Sequence, residues 1–245
     1  MITSVQNDKV KNWKKLHKRK ERKKTGSFLI EGFHLVEEAK KSNWDINEII
    51  VQEDIDVPNW CESYQVTEVG ENVFQYLSET QTPQGIAAVV SFQNQPAKLG
   101  NHVLLIDAVQ DPGNLGTIIR TADAAGFDTI ILGDGTVDVY NDKVIRATQG
   151  SIFHVPIIQQ NLLEQIPNLK ENGFSIWATA LTNAVPYHKV VKQEKIALLL
   201  GNEGAGIKED ILQLADTIVT IPIYGNAESL NVSVAAGILM YHVKG

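Results

Sequence analysis

The chain has 245 residues, 43% of them hydrophobic, and a net charge of −7, which is typical of a globular protein with one large or two modest domains. Its single cysteine excludes an intrachain disulfide, and its six histidines do not fall at metal-ligand spacing. No apolar run approaches the roughly 20 residues that span a bilayer, and the N-terminus lacks the apolar segment of a secretory signal. We therefore expect a cytoplasmic protein that binds neither a metal nor a membrane.

The charge is divided unevenly along the chain. Residues 1–24 carry ten Lys/Arg against two acidic residues, a net charge of +8, whereas the other 221 residues carry 12 Lys/Arg and 27 Asp/Glu, a net charge of −15. A basic segment on an acidic body predicts contact with a polyanion such as RNA, although a solvated helix face has the same pattern. Trp13 either stacks on a base or anchors the segment. The basic side chains predicted to contact RNA are Lys14, Lys15, Lys18, Arg19, Arg22 and Lys23.

The sequence pattern of residues 1–91 predicts a small α/β domain. The basic segment predicts one helix over Lys9–Lys24. After it we expect further helices and strands, the helices being Glu31–Lys41 and Glu71–Ser78 and the strands Ser27–Ile30, Ile46–Val51, Gln65–Val69 and Gly85–Ser91. The polar segment Phe92–Asn101 contains Pro96 and Gly100 and has no periodicity, which predicts a linker at 92–101.

From His102 to the C-terminus, strands and helices alternate and predict a second domain over 102–245. The predicted strands are Val103–Val109, Thr129–Leu132, His154–Ile158, Ser175–Leu181, Ile196–Leu200 and Thr217–Ile223. The predicted helices are Leu115–Ala125, Asp142–Gly150, Leu162–Asn172, Lys208–Ala215 and Ser229–Val243. Apolar strands separated by helices predict a mostly parallel sheet with helices on both faces, so the fold class is α/β.

Three strand-to-helix turns rich in Gly and Asn are typical of a ligand site on a parallel sheet. In the first turn Asn114 is a candidate helix cap, and Gly113 and Gly116 permit close backbone approach. Arg120 lies nearly two helical turns further on, and its guanidinium suits bidentate phosphate binding.

The second and third turns are residues 201–206 and 221–237. The second has the spacing G-x-x-G-x-G, which is not the dinucleotide fingerprint, and no Lys-Ser/Thr pair follows it as in a P-loop. The third passes from a strand through a polar turn into a helix of small residues, for which Ser229 and Asn231 are candidate caps. Ser229 lacks the G-x-S-x-G context of a nucleophile.

Together the three turns resemble the SpoU (TrmH-like) family of RNA 2′-O-ribose methyltransferases of the SPOUT class. The matching patterns are N-x-G-x-x-x-R, G-x-E-G-x-G and an S-L-N-x-S-x-A helix, all intact and in that order over about residues 102–243. Phe28-Leu29-Ile30-Glu31-Gly32 and the helix after it look like the substrate-binding domain often joined to this family.

The resemblance implies a C-terminal trefoil knot, S-adenosylmethionine held in the knotted loops, and a homodimer with the active site near its interface. The implied catalytic side chains are Asn114, Arg120, Glu203, Ser229 and Asn231. The implied cofactor-binding residues are Thr179, Ala180, Leu181, Leu199, Gly201, Asn202, Gly204, Ile221, Ile223, Leu230 and Asn231. Arg146 is a further candidate RNA contact, and an ordinary exposed helix arginine has the same pattern.

The implied reaction is methyl transfer to a ribose 2′-hydroxyl of RNA. Family analogy favours ribosomal over transfer RNA. The sulfonium methyl is already electrophilic, so the reaction needs a positioned hydroxyl and in-line geometry rather than a metal. Similarity to the family assigns Arg120 to that hydroxyl, as base or as partner of an adjacent phosphate. An arginine side chain keeps its proton at neutral pH, which favours the phosphate role over that of a base.

Two other classes stay open from the sequence. One is a catalytically silent RNA-binding protein of the same fold, against which the intact Asn114, Arg120, Glu203 and Asn231 argue. The other is a nucleotide-linked oxidoreductase, which the glycine spacing disfavours. The sequence leaves open the target nucleotide, the choice between ribose and base methylation, and whether the substrate is free RNA or an assembly intermediate.

Overall fold

The computed structural model describes residues 1–93 and 99–245, and the chain forms two compact units. The first unit combines residues 1–93 with 140–153, and the second combines 99–139 with 154–245. The predicted linker, 92–101, lies partly outside the described residues. Within the described ranges no helix is both long and apolar enough to cross a membrane.

The elements follow one another as helices and strands in both units. The helices are α1 (Asp8–Lys15), α2 (Arg19–Thr25), α3 (Phe33–Lys41), α4 (Glu71–Leu77), α5 (Pro112–Ala125), α6 (Asp142–Thr148), α7 (Leu162–Glu171), α8 (Glu209–Leu212) and α9 (Val232–Lys244). The strands are β1 (Ser27–Glu31), β2 (Ile46–Gln52), β3 (Val66–Val69), β4 (Ile86–Ser91), β5 (His102–Ile106), β6 (Thr129–Leu132), β7 (Ile157–Gln159), β8 (Ser175–Thr179), β9 (Val185–Pro186), β10 (Ile196–Leu200) and β11 (Thr217–Thr220).

The first unit is built on a four-stranded sheet in the order β1-β4-β2-β3. Strand β4 is antiparallel to both of its neighbours, and β2 is parallel to β3. Helices α1 and α4 cover one face, where Val10 and Trp13 pack with Ile50, Phe74 and Leu77. Apolar side chains of α1 therefore anchor the basic N-terminal segment to this hydrophobic core.

The single helix predicted over Lys9–Lys24 is wrong, because the chain turns between α1 and α2. Arg22 makes this corner: its side chain is buried, and Nη1 donates to the carbonyl oxygens of Leu16 and His17, both at 2.8 Å. A buried guanidinium that satisfies carbonyls at a helix end stabilises the fold. The prediction that Arg22 contacts RNA does not fit this placement.

Trp13 anchors the basic segment and is not available to stack on a base. Its ring is buried, and Nε1 donates to Glu48 Oε2 at 3.2 Å. The same carboxylate accepts from Lys9 Nζ and Thr67 Oγ1, so Glu48 joins α1 to strands β2 and β3.

Residues 140–153 pack within the first unit, although the predicted 102–245 domain contains them. The Tyr140 and Phe28 ring centroids lie 4.7 Å apart. Trp44 Nε1 donates to the Phe153 carbonyl oxygen at 3.1 Å. The predicted helix Asp142–Gly150 exists as α6, and it ends where Gln149 adopts a left-handed conformation. The boundaries 1–91 and 102–245 stay a prediction.

The second unit confirms the predicted parallel sheet. Its seven strands run in the order β7-β6-β5-β10-β8-β11-β9, and every described pairing is parallel. Helices α7 and α8 pack on one face, while α9 packs on β10 and on α5. Buried aliphatic residues fill strands β5, β6 and β10, as strands covered on both sides require.

Three strands are shorter than predicted at the carboxyl edge of the sheet, and three other elements differ elsewhere. Strands β5, β8 and β11 stop two or three residues before the predicted ends at Val109, Leu181 and Ile223. Strand β7 begins after Pro156 instead of at His154, helix α8 covers only the middle of Lys208–Ala215, and the short β9 has no counterpart in the prediction. After β5 and β11 the chain turns early into loops that carry motifs, and after β8 it turns early into the segment that contains Ala180 and Leu181.

Candidate functional site

The three motif turns all begin at the carboxyl edge of the parallel sheet in the second unit. They follow β5, β10 and β11, of which β5 and β10 are neighbours and β11 is separated from β10 only by β8. Ligands of open α/β sheets bind outside the carboxyl ends of the strands. The side chains along this edge therefore define the candidate site.

Asp111 caps helix α5, which corrects the prediction that Asn114 does so. Asp111 Oδ1 accepts from the Asn114 backbone N–H at 2.7 Å, and Pro112 occupies the first helical position. An aspartate cap followed by proline is a strong helix start, because proline has no N–H to leave unpaired there. The Asn114 side chain is thereby free for another contact.

Glu203 is the centre of the site. Its Oε1 accepts from the Asp111 N–H at 3.0 Å and from Asn114 Nδ2 at 3.1 Å, and its Oε2 accepts from the Gln110 N–H at 3.1 Å. Burial alone raises the pKa of Glu203, but these hydrogen bonds outweigh it and hold the pKa below its usual value. Glu203 is therefore a carboxylate that fixes the start of α5.

Asn114 links Glu203 to the third motif by hydrogen bonds. Its Oδ1 accepts from Asn231 Nδ2 at 2.9 Å, and Asn231 Oδ1 in turn accepts from the Ser233 N–H at 2.9 Å and caps α9. Because a carboxylate only accepts hydrogen bonds, Glu203 fixes the orientation of the Asn114 amide, which then fixes that of Asn231. One directed chain of hydrogen bonds thus joins all three motifs.

The loop after β10 is held by its own residues as well. Asn202 Nδ2 donates to the Ala108 carbonyl oxygen at 2.8 Å, while Asn202 Oδ1 accepts from the N–H groups of Gly204 and Ala205. A Cβ on Gly201 would collide with the backbone of Gly206 and Ile207. Only glycine fits there, because the loop closes back on its own start.

Asp107, which the sequence did not single out, attaches this loop to β5. Its carboxylate is completely buried, Oδ2 accepts from the Lys208 N–H at 2.8 Å, and Oδ1 lies 3.1 Å from Lys208 Nζ. Lys208 Nζ also donates to the Asp134 carbonyl oxygen at 3.2 Å. The ion pair therefore joins the loops after β5 and β10, and the hydrogen bond to Asp134 adds the loop after β6.

Arg120 and Ser229 are not part of this network. Arg120 is exposed on α5 and has no hydrogen-bond or ion-pair partner in the described part of the chain. Six residues along a helix place its Cα roughly 9 Å further along the axis than that of Asn114. Ser229 is exposed in the loop before α9, which begins at Val232 and not at Ser229. Of the five predicted catalytic side chains, the structure therefore joins three by hydrogen bonds, namely Asn114, Glu203 and Asn231.

The predicted cofactor residues line the ends of β8, β10 and β11 and the loops after them. Leu199 is buried, and its carbonyl oxygen accepts from Thr179 Oγ1 at 3.2 Å. Leu181 and Leu230 are exposed apolar side chains. The backbone groups of residues 223–230 have no hydrogen-bond partner among the described residues.

Exposed apolar side chains and backbone groups without partners among the described residues of these loops fit an adenine ring with a polar amino-acid tail. The other predicted cofactor residues lie in the same three segments: Ala180, Gly201, Asn202, Gly204, Ile221, Ile223 and Asn231. No group of three or more His, Cys, Asp or Glu in the described ranges has the geometry of a metal site.

The predicted RNA-binding residues lie in the first unit and differ in their pairing. Lys14 Nζ lies 2.8 Å from Glu79 Oε1 and over the Tyr76 ring. Arg146 on α6 pairs with Asp142 at 2.9 Å. The remaining basic side chains of the set, apart from the buried Arg22, are exposed on α1, α2 and the corner between them: Lys15, Lys18, Arg19 and Lys23.

Family models match both parts of the chain. Residues 101–241 match the SpoU rRNA Methylase family, and residues 7–88 match the MRM3-like substrate binding domain. With more than half of its length matched to the first model, the chain belongs to the SpoU rRNA methylase family.

Individual relatives agree with this assignment. The chain is 51% identical over 245 residues to the 23S rRNA (guanosine(2553)-2′-O)-methyltransferase RlmP of Bacillus subtilis, covering 100% of this chain and 99% of that protein. It is 33% identical to a putative TrmH family tRNA/rRNA methyltransferase of Staphylococcus aureus, covering 88% and 94%. The structure of an AdoMet-bound rRNA methyltransferase from Sinorhizobium meliloti superposes with a TM-score of 0.90 at 33% identity, covering 99% and 96%.

Proposed function

We propose that this protein methylates a ribose 2′-hydroxyl of 23S ribosomal RNA with S-adenosylmethionine as methyl donor. The observation that carries the proposal is the chain of hydrogen bonds from Glu203 through Asn114 to Asn231, which assembles the three motifs at one edge of the sheet. The relative of 51% identity, which is named for this reaction on guanosine, supports the choice of ribosomal RNA and of a guanosine.

The residues of the chain have separable roles in this reaction. Bound S-adenosylmethionine supplies an electrophilic methyl group. The loops after β8, β10 and β11 bind it through backbone groups and the apolar side chains of Leu181 and Leu230. Glu203, Asn114 and Asn231 hold these loops in place, and their effect on rate comes from positioning.

Arg120 binds the substrate in this scheme. It is exposed and has no partner among the described residues, so its guanidinium is free to bind the phosphate beside the target ribose. An arginine that already sat in an ion pair in the free protein would first have to lose that partner. Arg120 neutralises the phosphate and donates a hydrogen bond to the 2′-hydroxyl oxygen, which orients that oxygen for in-line attack on the methyl group. Solvent accepts the proton of the hydroxyl.

The exposed basic side chains of α1 and α2 form the RNA-binding surface of the first unit. The predicted members of this surface are Lys15, Arg19 and Lys23 on the helices and Lys18 at the corner between them, with Arg146 as a further contact. Burial of Val10 and Trp13 fixes α1 on the sheet, so Lys15 is displayed on a rigid surface rather than on a loose arm. A fixed array of cations binds a folded RNA with less loss of conformational entropy.

The active form is a cytoplasmic homodimer with a C-terminal trefoil knot and a separate substrate-binding domain, as the family resemblance implies. On α9 the apolar side chains Val234, Ile238 and Tyr241 are exposed by 51%, 36% and 57%. Their spacing places them along one side of the helix, which supports α9 as the dimer contact. An Ile238→Asp variant that sediments like the wild type would exclude this contact.

Methyl transfer to RNA from a strain that lacks the gene tests the proposed reaction. We expect label from S-adenosylmethionine to enter 23S rRNA and to appear, after digestion to nucleosides, as 2′-O-methylguanosine. Label in a methylated base, or in transfer RNA alone, would contradict the proposal. Cofactor binding without transfer to free, ribosomal or precursor RNA would favour a catalytically silent RNA-binding protein.

A further inference from the structure

The first unit contains an open cavity of about 220 Å³, from which the proposed function uses only Arg146. It lies at the end of β1 and the start of α3, and its walls include Glu31, His34, Thr82, Gln84 and Arg146. The part of the chain that matches the substrate-binding model supplies four of these side chains. Arg146 comes from α6, in the part that matches the methylase model. Both matched regions therefore build this cavity.

The hydrogen bonds around the cavity leave donors and an acceptor unused. Gln84 Oε1 accepts from the Phe33 N–H at 3.0 Å, which fixes the orientation of the amide and leaves both Nε2 hydrogens available. His34 Nε2 lies 3.0 Å from the Gln149 carbonyl oxygen and must donate to it, so Nδ1 of the neutral ring is left as an acceptor. The two Nε2 hydrogens of Gln84 and the Nδ1 acceptor of His34 are therefore available to hydrogen-bond to the edge of a heterocyclic ring.

The charges of the wall favour a neutral ligand over a phosphate. The Glu31 carboxylate lines the cavity and accepts from Ser78 Oγ at 2.8 Å and Thr80 Oγ1 at 2.6 Å. Arg146 is the guanidinium in the wall, and Asp142 already pairs with it at 2.9 Å. These three groups together carry a net negative charge, which repels an anion.

The size of the cavity and the flat side chains in its wall narrow the choice of ligand further. About 220 Å³ is roughly seven times the ~30 Å³ that one water occupies in the liquid, which is room for a one- or two-ring base. RNA bases that have left their own stack commonly stack on histidine rings and on arginine guanidinium planes.

We propose that this cavity binds one unstacked RNA base outside the methylated nucleotide. The inference rests on the proposed function, because it takes RNA as the partner of this unit. In this arrangement the exposed lysines of α1 and α2 bind phosphates in any sequence, whereas the cavity selects a position in the RNA by its base.

A Thr82→Trp variant tests the proposal by filling the cavity. Thr82 is exposed and makes no hydrogen bond to a described residue, so the fold does not depend on it. The matched control is Gln81→Trp, at an exposed neighbouring position that does not line the cavity. Fluorescence anisotropy would give the Kd of each variant for a 23S rRNA fragment that the wild type binds. Thermal unfolding would confirm that both variants are folded.

We expect Thr82→Trp to weaken RNA binding roughly tenfold, as loss of one stacked base does, while Gln81→Trp binds like the wild type. Replacing each nucleotide of the fragment in turn by an abasic one should reveal one position that matters to the wild type and not to Thr82→Trp. Abasic sites keep the phosphate, so an effect of Thr82→Trp without such a position would refute a base as the ligand.

Equal binding by both tryptophan variants would refute the cavity as a site altogether. The two proposals fail separately. Absence of 2′-O-methylguanosine in the products of the wild type contradicts the proposed reaction. Equal RNA binding by the two variants contradicts the base site, because that comparison measures binding alone.

Discussion

Replacing Glu203 by glutamine tests whether this side chain orders the active site. The carboxylate accepts hydrogen bonds from Gln110 N–H, Asp111 N–H and Asn114 Nδ2, all between 3.0 and 3.1 Å. Glutamine has the same shape but only one acceptor oxygen. Whichever way its amide turns, the NH₂ group faces at least one N–H donor, so the start of α5 loses a bond and gains a repulsion.

The expected loss of stability follows from these bonds. A hydrogen bond to a charged group contributes about 1.5–3 kcal/mol, but Glu203 is exposed and water replaces part of what glutamine removes. We expect a net loss of about 1–3 kcal/mol in the free energy of unfolding, or about 2–12 °C in Tm for a chain of this size. Displacing Asn114 and Asn231 by a fraction of an ångström should lower kcat by about 10- to 100-fold.

The pH dependence of this loss separates charge from shape. The folded protein lowers the pKa of Glu203, so its stabilisation is complete above the unfolded value of about 4.3 and is lost as the pH falls through the lower folded value. The gap in stability between wild type and Glu203→Gln should therefore close in that acidic range.

The assay is thermal unfolding together with methyl transfer, and the control is Glu194→Gln, an exposed carboxylate outside the site. A Glu203→Gln variant with wild-type kcat and Tm would refute the role of this carboxylate.

Three further predictions concern other residues. Arg120→Ala should abolish turnover with little change in the Kd of S-adenosylmethionine, measured by methyl transfer and cofactor titration, and near-normal activity would show that the assignment is wrong. Replacing Lys15, Lys18 and Lys23 by glutamine should reduce the slope of log Kd against log salt for single-stranded RNA by about 0.7 for each phosphate that is no longer neutralised; an unchanged slope would remove these lysines from the interface. Burial lowers the pKa of His102, with a smaller contribution from a neighbouring lysine, so the native state is favoured above the unfolded pKa of about 6.5 and loses stability as the pH falls below it. The Tm advantage of wild type over His102→Gln should therefore shrink as the pH falls below about 6.5.

The core elements of the fold were predictable because their signals are local. Strands Ile196–Leu200 and Thr129–Leu132 agree with the structure to the residue, since each is an apolar run between polar turns. The break between α1 and α2 was not predictable from spacing. It depends on the contact of the Arg22 guanidinium with two carbonyl oxygens, and a basic run gives no sign that one of its cations is buried.

The site was predictable as a set of motifs and not as a network. Asp111-Pro112 carried a recognisable helix-start signal that identifies the true cap of α5. The pairing of Asp107 with Lys208, 101 residues apart, has no local signal, because it exists only where two strands lie side by side in the sheet. Long-range polar contacts of this kind need the three-dimensional structure.

The membership of residues 140–153 in the first unit affects how the chain completes its folding during synthesis. A ribosome that has made residue 93 has not yet made Tyr140 or Phe153, whose side chain and carbonyl respectively contact Phe28 and Trp44. Sixty further residues take about 3–12 s at 5–20 residues per second. During that interval the nascent first unit lacks the Tyr140 ring that packs on Phe28 and the carbonyl oxygen that accepts from Trp44, so its aromatic core is completed only after residues 99–139 of the second unit have been made.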